Sequence, residues 1–465
     1  MSPTTTNLVW FRDDLRVADN PALEAAMAAG PTIAVYILDE QSSGIRPLGG
    51  AARWWLHHAL ADLRANLERL GVPLVLRRGA AANILPEVLV VSGALSAYWN
   101  RRYGGPERAV DTRVKALVRA AGGTALSFSG TLLQEPWVPL TQDGRPFKVF
   151  TPFFNALLRL PLRPALGEPL PQEPTGLPSV TSDELADWEL LPTALDWSHG
   201  LAAAWEPGES AARERLDAVL AEIAADYDDT RDRPDMDGTS RLSPALRWGH
   251  LSPVQVWESL SSLIQERPPA AVGARAMMRQ LAWRDFCWNL LYHQPGMAEL
   301  NLRPEFDAFD WVWPSDGVPQ NPEDAQANDD FEAWCRGETG FGLVDAGMKQ
   351  LWETGWMHNR VRMVTASLLV KNLGIHWRVG EQWFWDTLVD ADAAANPTNW
   401  QWVAGCGADA SPYFRIFNPE LQARKFDPRG SYVARFAPVA VSEPIVDLKE
   451  SRERALDAYA RMKER

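Results

Sequence analysis

The sequence predicts an α/β protein with two domains: an N-terminal domain built on a doubly wound parallel sheet, and a C-terminal all-α domain. Over residues 1–130, short apolar runs alternate with helical patterns. Over residues 201–465, the pattern is mainly helical with short loops. Between them, residues 131–200 are rich in proline and acidic residues, which is typical of a long connection that follows the surface.

The first domain is predicted from alternating strands and helices. The strands are expected at 8–11, 32–38, 74–76 and 95–100, and the helices at 22–29, 51–70 and 107–121. This alternation requires parallel strands, and ligands of such sheets bind in the crevice at the carboxyl ends of the strands. No glycine fingerprint follows the first strand and no P-loop occurs, so a Rossmann dinucleotide site is not predicted.

Composition limits the classes of function. The 465 residues are 46% hydrophobic, enough for two or three domains with their own cores, and include 22 tryptophans, more than core packing requires. A net charge of −14 argues against a nucleic-acid partner when it is taken alone. Phosphate binding depends on local arginines, however, and repulsion is screened within about 8 Å at physiological salt.

The cysteines and the apolar runs indicate a compartment. Cys287, Cys335 and Cys406 are odd in number and widely separated, which favours a reducing cytosol over a disulfide framework or a zinc site. No apolar run reaches the length of a membrane span. We therefore expect a cytoplasmic monomer with neither a metal nor a membrane partner.

The stretch from 352 to 402 has the most unusual chemistry in the chain. Arg360 and Arg362 lie in a segment with helical apolar spacing, and Asp390 and Asp392 follow a second apolar run. An arginine in an apolar segment is costly to bury without a partner, so Arg362 is expected to pair with Asp390 or Asp392. Two interpretations fit: a tryptophan-rich helical core with surface charges, or a flavin pocket with a tryptophan path leading out of it.

Five stretches together identify a family. They read TSRLSPALRWGHLSP at 239–253, LAWRDF at 281–286, GWMHNRVRMVTASLLVK at 355–371, DADAAANPTNWQW at 390–402 and SPYFRIFNP at 411–419. In this order and length they resemble the photolyase/cryptochrome family, with class I cyclobutane pyrimidine dimer photolyases as the expected nearest relatives. The resemblance implies an antenna-chromophore domain in the first region and a FAD-binding domain in the helical region.

The resemblance also implies a reaction. Reduced FAD, excited by blue or near-UV light, would give an electron to a cyclobutane pyrimidine dimer flipped out of UV-damaged DNA, and the electron would return once the ring has split. The implied enzyme is a deoxyribodipyrimidine photo-lyase. Two other light-dependent functions stay open, a cryptochrome-type blue-light photoreceptor and a six-four photoproduct photolyase. A dark electron-transfer flavoprotein is a further alternative.

The FAD contacts follow from this resemblance. They are Tyr227, Thr239, Ser240, Arg241, Leu242, Ser243, Asn359, Arg362, Asp390, Asp392 and Asn396. Hydroxyls and backbone N–H groups at a helix start suit a pyrophosphate. Asn396 would lie opposite the flavin N5, where a neutral amide cannot readily protonate the flavin. The local alternatives are helix caps, formed by Ser243 before Pro244 and by Asn396 before Pro397.

A tryptophan chain that photoreduces the flavin is implied as well. Trp400 and Trp377 resemble its first two members. The third is placed at Trp311, with Trp313 as the alternative, because residues 313–330 resemble an insertion relative to the family. In a chain with 22 tryptophans, chance matches are the competing explanation.

The DNA contacts rest on the same resemblance. Trp283 and Trp402 would stack on the lesion, and Met363 would lie beside it. The phosphates would be held by Arg231, Arg284, Arg360 and Arg415. Each of these arginines, taken alone, is typical of a solvated surface. Met363 and Asn359 stand where six-four photolyases carry histidines, which favours the cyclobutane dimer as the substrate.

One position departs from the expected pattern. Gln280 stands where class I dimer photolyases carry a glutamate that contacts the dimer. An amide can donate a hydrogen bond but cannot supply a proton as a carboxylic acid can. Met277 also replaces a pocket tryptophan. Both changes are consistent with slower repair, another substrate or a photoreceptor.

The second chromophore is less defined. Asp14, Arg53 and Arg247 match positions that face a deazaflavin in some relatives, but Arg102 replaces the acidic strand-end residue of that group. The Asn-Glu pair of folate-binding relatives reads Pro106–Glu107 here. A deazaflavin antenna is favoured, and a folate or an empty site stays open.

Overall fold

A five-stranded parallel sheet forms the centre of the N-terminal domain in the computed structural model, which describes residues 6–173, 177–315, 322–410, 414–439 and 443–464. The strands are β1 (Asn7–Phe11), β2 (Thr32–Leu38), β3 (Leu74–Arg78), β4 (Ser96–Asn100) and β5 (Thr124–Phe128). Their order is β3-β2-β1-β4-β5, so the strand order reverses at β1 and a crevice opens at the carboxyl ends of β1 and β4. The predicted doubly wound parallel sheet is confirmed.

Helices cover both faces of this sheet. They are α1 (Pro21–Ala29), α2 (Gly50–Arg69), α3 (Ala81–Ser92) and α4 (Gly105–Ala120). Successive residues of β1 point to opposite faces, so that Val9 packs on the side of α1 and α2 and Trp10 packs on the side of α3 and α4. Neither β5 nor α3 is predicted from the sequence. In β5 the buried residue is Ala125, and Pro86 lies inside α3, so neither element has a clear apolar period.

The rest of the described chain is mainly helical. The helices are α5 (Phe150–Leu157), α6 (His199–Ala204), α7 (Glu209–Ala218), α8 (Tyr227–Thr230), α9 (Ser243–Trp248), α10 (Pro253–Glu266), α11 (Ala271–His293), α12 (Pro322–Arg336), α13 (Gly342–Thr354), α14 (Asn359–Ser367), α15 (Trp377–Thr387), α16 (Ala395–Ala404), α17 (Pro419–Phe426), α18 (Ser431–Phe436) and α19 (Leu448–Glu464). The predicted all-α domain is confirmed. Within the described ranges, no helix is both long and apolar enough to span a membrane. The monomeric state stays a prediction.

The connection at residues 131–200 is more than a surface linker. Its helix α5 inserts Phe150 and Phe153 into the core of the helical domain, beside Phe286. Further along, the Gln172 side chain donates from Nε2 to the Thr32 carbonyl of the sheet domain, at 2.8 Å. The connection therefore packs on both domains. Pro174, one of the prolines that mark it in the sequence, lies outside the described residues.

A buried polar network joins the two domains. Arg16 is fully buried and donates hydrogen bonds to the backbone carbonyls of Asp19 (2.7 Å), Gly130 (2.7 Å) and Gly249 (3.0 Å). The Asp19 carboxylate in turn accepts a hydrogen bond from Arg163 at 2.8 Å. Because buried charges are costly unless they are paired, this network fixes how the sheet domain, the connection and the helical domain meet.

Asp285 of α11 holds the start of the connection. Its carboxyl Oδ2 accepts hydrogen bonds from the backbone N–H groups of Leu133 (2.8 Å) and Gln134 (3.1 Å). Burial raises the pKa of Asp285 to about 7, although Arg284 and these N–H groups act in the opposite direction. Its Oδ1 atom has no hydrogen-bond partner among the described residues, which is consistent with a carboxyl that holds a proton.

We predict that Asp285→Asn flattens the pH dependence of unfolding. Because the folded-state pKa is raised to about 7, the folded chain binds more protons than the unfolded chain between about pH 4 and about pH 7. Wild-type stability therefore falls as the pH rises through this window, by at most about 4 kcal/mol from this group. Urea unfolding at about pH 4.5 and about pH 8 measures the effect. The same pH dependence in both proteins would contradict the raised pKa.

Candidate functional site

A deep cleft in the helical domain brings the predicted cofactor residues together. It encloses about 1230 Å³ between α9, α11, α14 and the segment that joins α15 to α16. Its lining includes Tyr227, Thr239, Ser240, Arg241, Leu242, Ser243, Asn359, Arg362, Asp390 and Asp392. Asn396, the remaining predicted cofactor residue, lines a second cavity that adjoins this cleft.

An ion pair crosses the cleft. Arg362 Nη1 lies 3.1 Å from Asp390 Oδ1, and Arg362 Nη2 lies 2.8 Å from Asp390 Oδ2. The predicted pairing of Arg362 is therefore made with Asp390 and not with Asp392. Ser243 donates its hydroxyl to Asp390 Oδ2 at 2.6 Å. The N-cap position of α9 is occupied by Leu242, so the capping alternative for Ser243 is wrong.

At the start of α16, Asp392 accepts hydrogen bonds from the helix backbone, whereas the Asn396 side chain donates to another helix. Asp392 Oδ1 accepts hydrogen bonds from the backbone N–H groups of Ala394 (2.8 Å) and Ala395 (2.6 Å), so this carboxylate occupies the positive end of the helix. Asn396 lies inside the first turn and donates from Nδ2 to the Glu381 carbonyl (3.0 Å) and to Glu381 Oε1 (2.8 Å). The capping alternative for Asn396 is therefore wrong.

The chemistry of the first cleft fits FAD. Thr239 and Ser240 line it, beside the guanidinium of Arg241, whose buried Nε has no hydrogen-bond partner among the described residues. These donors suit the anionic pyrophosphate of a dinucleotide. The paired charges of Arg362 and Asp390 suit a polar ring system.

The second cavity brings together most of the predicted DNA contacts. It encloses about 1600 Å³, and its lining includes Arg231, Gln280, Trp283, Arg360, Met363, Asn396, Trp402 and Arg415. It meets the first cleft along shared residues, which include Arg231, Gln280, Asn359, Arg362 and Asp390. A molecule in one space can therefore touch a molecule in the other.

Arg284 does not lie with the other predicted phosphate contacts. Its side chain is 16% exposed and donates to the backbone carbonyls of Thr131 (2.8 Å) and Leu246 (3.3 Å). It lines the first cleft and a third cavity, which lies at the carboxyl ends of the strands and is described below. In the described part of the chain it is absent from the lining of the second cavity. Neighbouring residues on a helix point in different directions, so Trp283 faces the second cavity while Arg284 faces inward.

The walls of the second cavity include residues that the sequence analysis missed. Phe150 of α5 lies 5.0 Å from Trp283, measured between ring centroids, and Arg279 of α11 stacks on Phe150 at 4.8 Å. Across the cavity, Arg415 lies 5.2 Å from the Trp402 ring. Four phenylalanines within residues 147–154 of a proline-rich connection are the signal that could have placed α5 in the core. The motif residues 411–413, adjacent to Arg415, lie outside the described residues.

The predicted tryptophan chain occupies neighbouring helices. Trp400 on α16 is buried and lines the second cavity, and Trp377 on α15 is fully buried. The Trp377 ring lies 5.6 Å from His376, which in turn lies 4.8 Å from Trp311 and 4.1 Å from Trp313. Trp311 and Trp313 thus both continue the line of contacts. Trp313 is 49% exposed, whereas the Nε1 atom of Trp311 is buried.

A second line of aromatic contacts leaves Trp400 in another direction. The ring centroids of Trp400 and Trp334 are 6.2 Å apart, and those of Trp334 and Phe331 are 6.0 Å apart. Phe331 lies 6.4 Å from Trp383, and Trp383 stacks on Trp352 at 6.0 Å. Trp352 is 60% exposed. The sequence analysis missed this line because its members lie on four separate helices.

A third cavity lies at the carboxyl ends of the strands, where a ligand of the sheet domain is expected. It encloses about 1100 Å³ and is lined by Arg102 and Arg247. Asp14 and Arg53 do not line it in the described part of the chain. Asp14 is buried and accepts a hydrogen bond from Asn100 instead, and Asp13 takes the expected place, with its Oδ1 atom 2.7 Å from Arg247 Nη1.

Comparison with known proteins places both domains in one family. The model of the DNA photolyase domain matches residues 7–175, and the model of the FAD binding domain of DNA photolyase matches residues 277–442. A deoxyribodipyrimidine photo-lyase from Agrobacterium fabrum is 45% identical over 99% of this chain and 98% of that protein. Cryptochrome-1 from Arabidopsis thaliana is 35% identical over 93% of this chain and 62% of that protein.

A solved structure extends this similarity to the whole chain. A bacterial class III photolyase from Agrobacterium tumefaciens has a TM-score of 0.92 and 43% identity, covering 100% of this chain and 99% of that one. These matches do not support the expected class I relationship in particular. The chain belongs to the DNA photolyase/cryptochrome family and carries the FAD-binding domain of that family in its helical part.

Proposed function

We propose that this chain is a FAD-dependent photolyase that repairs cyclobutane pyrimidine dimers in UV-damaged DNA. One observation supports this most directly: the cleft that fits FAD and the tryptophan-lined cavity share Gln280 and Asn359 as lining residues. A cofactor in the cleft and a flipped-out pyrimidine dimer in the cavity would therefore be in contact. The similarity to a class III photolyase over the full chain supports the same function and favours that class over class I.

The residues of the cleft have distinct proposed roles. Ser243, Arg362 and Asp390 would hold the ring system, and Thr239 and Ser240 would hold the phosphates. When it is bound and reduced, FAD supplies the electron that light-driven ring splitting requires. Two other proposed contacts are Asp392, which precedes α16, and Asn396, which lies in its first turn. An amide at Asn396 cannot deliver a proton as an acid would, which favours a stable reduced cofactor.

The second cavity has the chemistry of a site for an extruded lesion. Trp283 and Trp402 offer faces on which pyrimidines can stack, and a damaged pair costs less to extrude than an intact one. Arg231, Arg360 and Arg415 lie at its walls, where they would position phosphates without reading sequence. We leave Arg284 out of the proposed phosphate contacts because its guanidinium is engaged by two carbonyls inside the protein.

Met363 and Asn359 support the cyclobutane dimer as the substrate, because both line the cavity and neither can act as the acid that a histidine would provide. The second candidate function is a blue-light photoreceptor of cryptochrome type. Gln280 favours it, since an amide occupies the junction of the two spaces, where a carboxylic acid would assist repair.

We predict light-dependent repair that becomes faster in Gln280→Glu. The protein with photoreduced FAD would be mixed with oligonucleotides that contain one cyclobutane dimer or one six-four photoproduct, in light and in darkness. The cyclobutane dimer is expected to be restored in light alone, and the glutamate variant is expected to be about threefold faster, equal to about 0.6 kcal/mol of barrier. Gln280→Leu, which removes the hydrogen-bond donor, serves as the matched control and should be slower than wild type.

Two other outcomes of this experiment would change the proposed substrate or the proposed function. Restoration of the six-four photoproduct alone would change the substrate. No repair of either lesion by a protein with normal FAD photoreduction would favour the photoreceptor.

We predict that the two aromatic lines both deliver electrons during photoreduction of bound FAD. Trp377→Phe is expected to slow photoreduction by about tenfold and to leave a residual rate. The double variant Trp377→Phe/Trp334→Phe should lose that residual rate, because one tryptophan of each aromatic line is then replaced. The absorbance of FAD, recorded during illumination, measures the rates of photoreduction. Trp137→Phe, on the surface of the connection, is the control, and a wild-type rate in Trp377→Phe would exclude the predicted chain.

We predict that Arg415→Gln weakens binding to damaged and undamaged DNA by the same factor. A phosphate contact carries no sequence information, so the slope of log affinity against log salt concentration should fall by about 1. Fluorescence anisotropy at several salt concentrations measures this. Arg424→Gln on α17 is the control, because Arg424 pairs with Glu420 on an exposed helix surface. A loss confined to damaged DNA would argue for a direct lesion contact instead.

A further inference from the structure

The loop that joins β2 to α2 reaches across to α15 of the helical domain. The Trp385 side chain donates from Nε1 to the Pro47 carbonyl at 2.9 Å, and the backbone N–H of Gly50 donates to Asp386 Oδ1 at 2.8 Å. Gly49 lies so close to the backbone of Trp385 that no Cβ atom would fit there. The loop is therefore held on the outer side of α15.

This loop delivers one guanidinium to a buried carboxylate. Arg46 Nη1 lies 2.8 Å from Glu381 Oε1, and Arg46 Nη2 lies 3.1 Å from Glu381 Oε2. Arg46 also stacks on the Trp385 ring, 4.1 Å from its centroid. The Glu381 side chain is 3% exposed, so Arg46 supplies the countercharge that a buried carboxylate needs.

Glu381 in turn fixes the amide of Asn396. Asn396 Nδ2 donates to Glu381 Oε1 at 2.8 Å and to the Glu381 carbonyl at 3.0 Å. An ionised carboxylate accepts hydrogen bonds and donates none, so the amide must turn its NH₂ group toward Glu381. The side-chain carbonyl is then the polar atom that Asn396 can present to the second cavity, which it lines.

We propose that Arg46 is a positioning residue for Asn396 and acts through Glu381. The proposal rests on the proposed function, in that a flavin bound in the first cleft is taken to reach Asn396 where the cleft meets the second cavity. A residue of the sheet domain thereby determines which polar atom the helical domain turns toward its cofactor. In the described part of the chain, Arg46 lines neither the first cleft nor the second cavity. It lines the third cavity, at the carboxyl ends of the strands.

Loss of Arg46 changes what Glu381 can do. Without Arg46 the two Glu381 carboxylate oxygens lose the donors that hold them in place, so the carboxylate can turn away from Asn396 Nδ2. The Asn396 amide is then no longer restricted to one orientation, and its N–H group can face the cavity. Because a carbonyl accepts a hydrogen bond where an N–H group donates one, the two orientations favour different protonation states of a redox ring. The reduced cofactor should become easier to oxidise.

The experiment is a double-mutant cycle on the FAD-loaded protein. Arg46→Gln, Glu381→Gln and the double variant are photoreduced, and reoxidation by air is followed by absorbance. Each single variant is expected to reoxidise about threefold faster than wild type, and the double variant no faster than Glu381→Gln alone, because the two residues act in one relay. Arg46→Lys, which keeps the charge but not the two-point contact, should fall in between.

Controls separate this proposal from a general loss of structure and from the proposed function. Arg77→Gln removes another arginine–carboxylate pair of the sheet domain, the 2.6 Å contact with Glu87, and should reoxidise at the wild-type rate. FAD content and the melting temperature show whether each variant is folded. Fully additive effects, or a wild-type rate in folded Arg46→Gln, would overturn the relay. Failure of wild type to repair DNA, with the cycle as expected, would overturn the proposed function and leave the relay intact.

Discussion

The ion pair between Arg362 and Asp390 is the constraint on which the helical domain depends. Arg362 lies on α14, Asp390 follows α15, and the Ser243 hydroxyl reaches the same carboxylate from α9. Asp390 is 2% exposed and Arg362 24% exposed, and removing Arg362 would leave the buried carboxylate without its countercharge. These helices can therefore meet in one arrangement, and that arrangement leaves a cleft between them. The cofactor site results from the same contact that holds the helices in register.

Local charge and global charge have opposite consequences in this protein. The chain carries a net charge of −14, yet Arg231, Arg279, Arg360 and Arg415 line a single cavity. Arg360 is paired with Asp232 at 2.7 Å, so part of this positive charge is already balanced. Asp390 and Asp409 line the cavity as well, and Asp390 is paired with Arg362. Charges farther away than about 8 Å are largely screened at physiological salt. An acidic composition therefore does not exclude a surface that can hold DNA phosphates.

The parts of the fold and site that sequence reasoning could predict are those with a local cause. Four of the five strands were predictable from apolar runs, and a partner for Arg362 from the cost of burying an unpaired charge. Asp13 and Asp14 show the limit, because these adjacent carboxylates beyond β1 take different partners, Arg247 and Asn100, and only Asp13 lines the third cavity in the described part of the chain. Trp283 and Arg284 show the same effect on a helix.

Contacts between distant segments have no local signature. Phe150 enters the wall of the second cavity from a proline-rich connection, and Glu381 receives Arg46 from another domain. Neither residue type is unusual at its position, so only the folded arrangement reveals what it touches. The second aromatic line from Trp400 is hidden in the same way, because Trp334 and Trp383 are far apart in the chain.

The buried network around Arg16 ties the sheet domain to the helical domain. Arg16 belongs to the sheet domain, but its hydrogen-bond acceptors include the carbonyls of Gly130 and Gly249. A chain cut within the connection would separate the Arg16 guanidinium from the Gly249 carbonyl and leave that carbonyl without its donor. The two halves expressed separately are therefore expected to be less stable than the whole chain. Changes in sequence on either side of this joint are constrained by the other side.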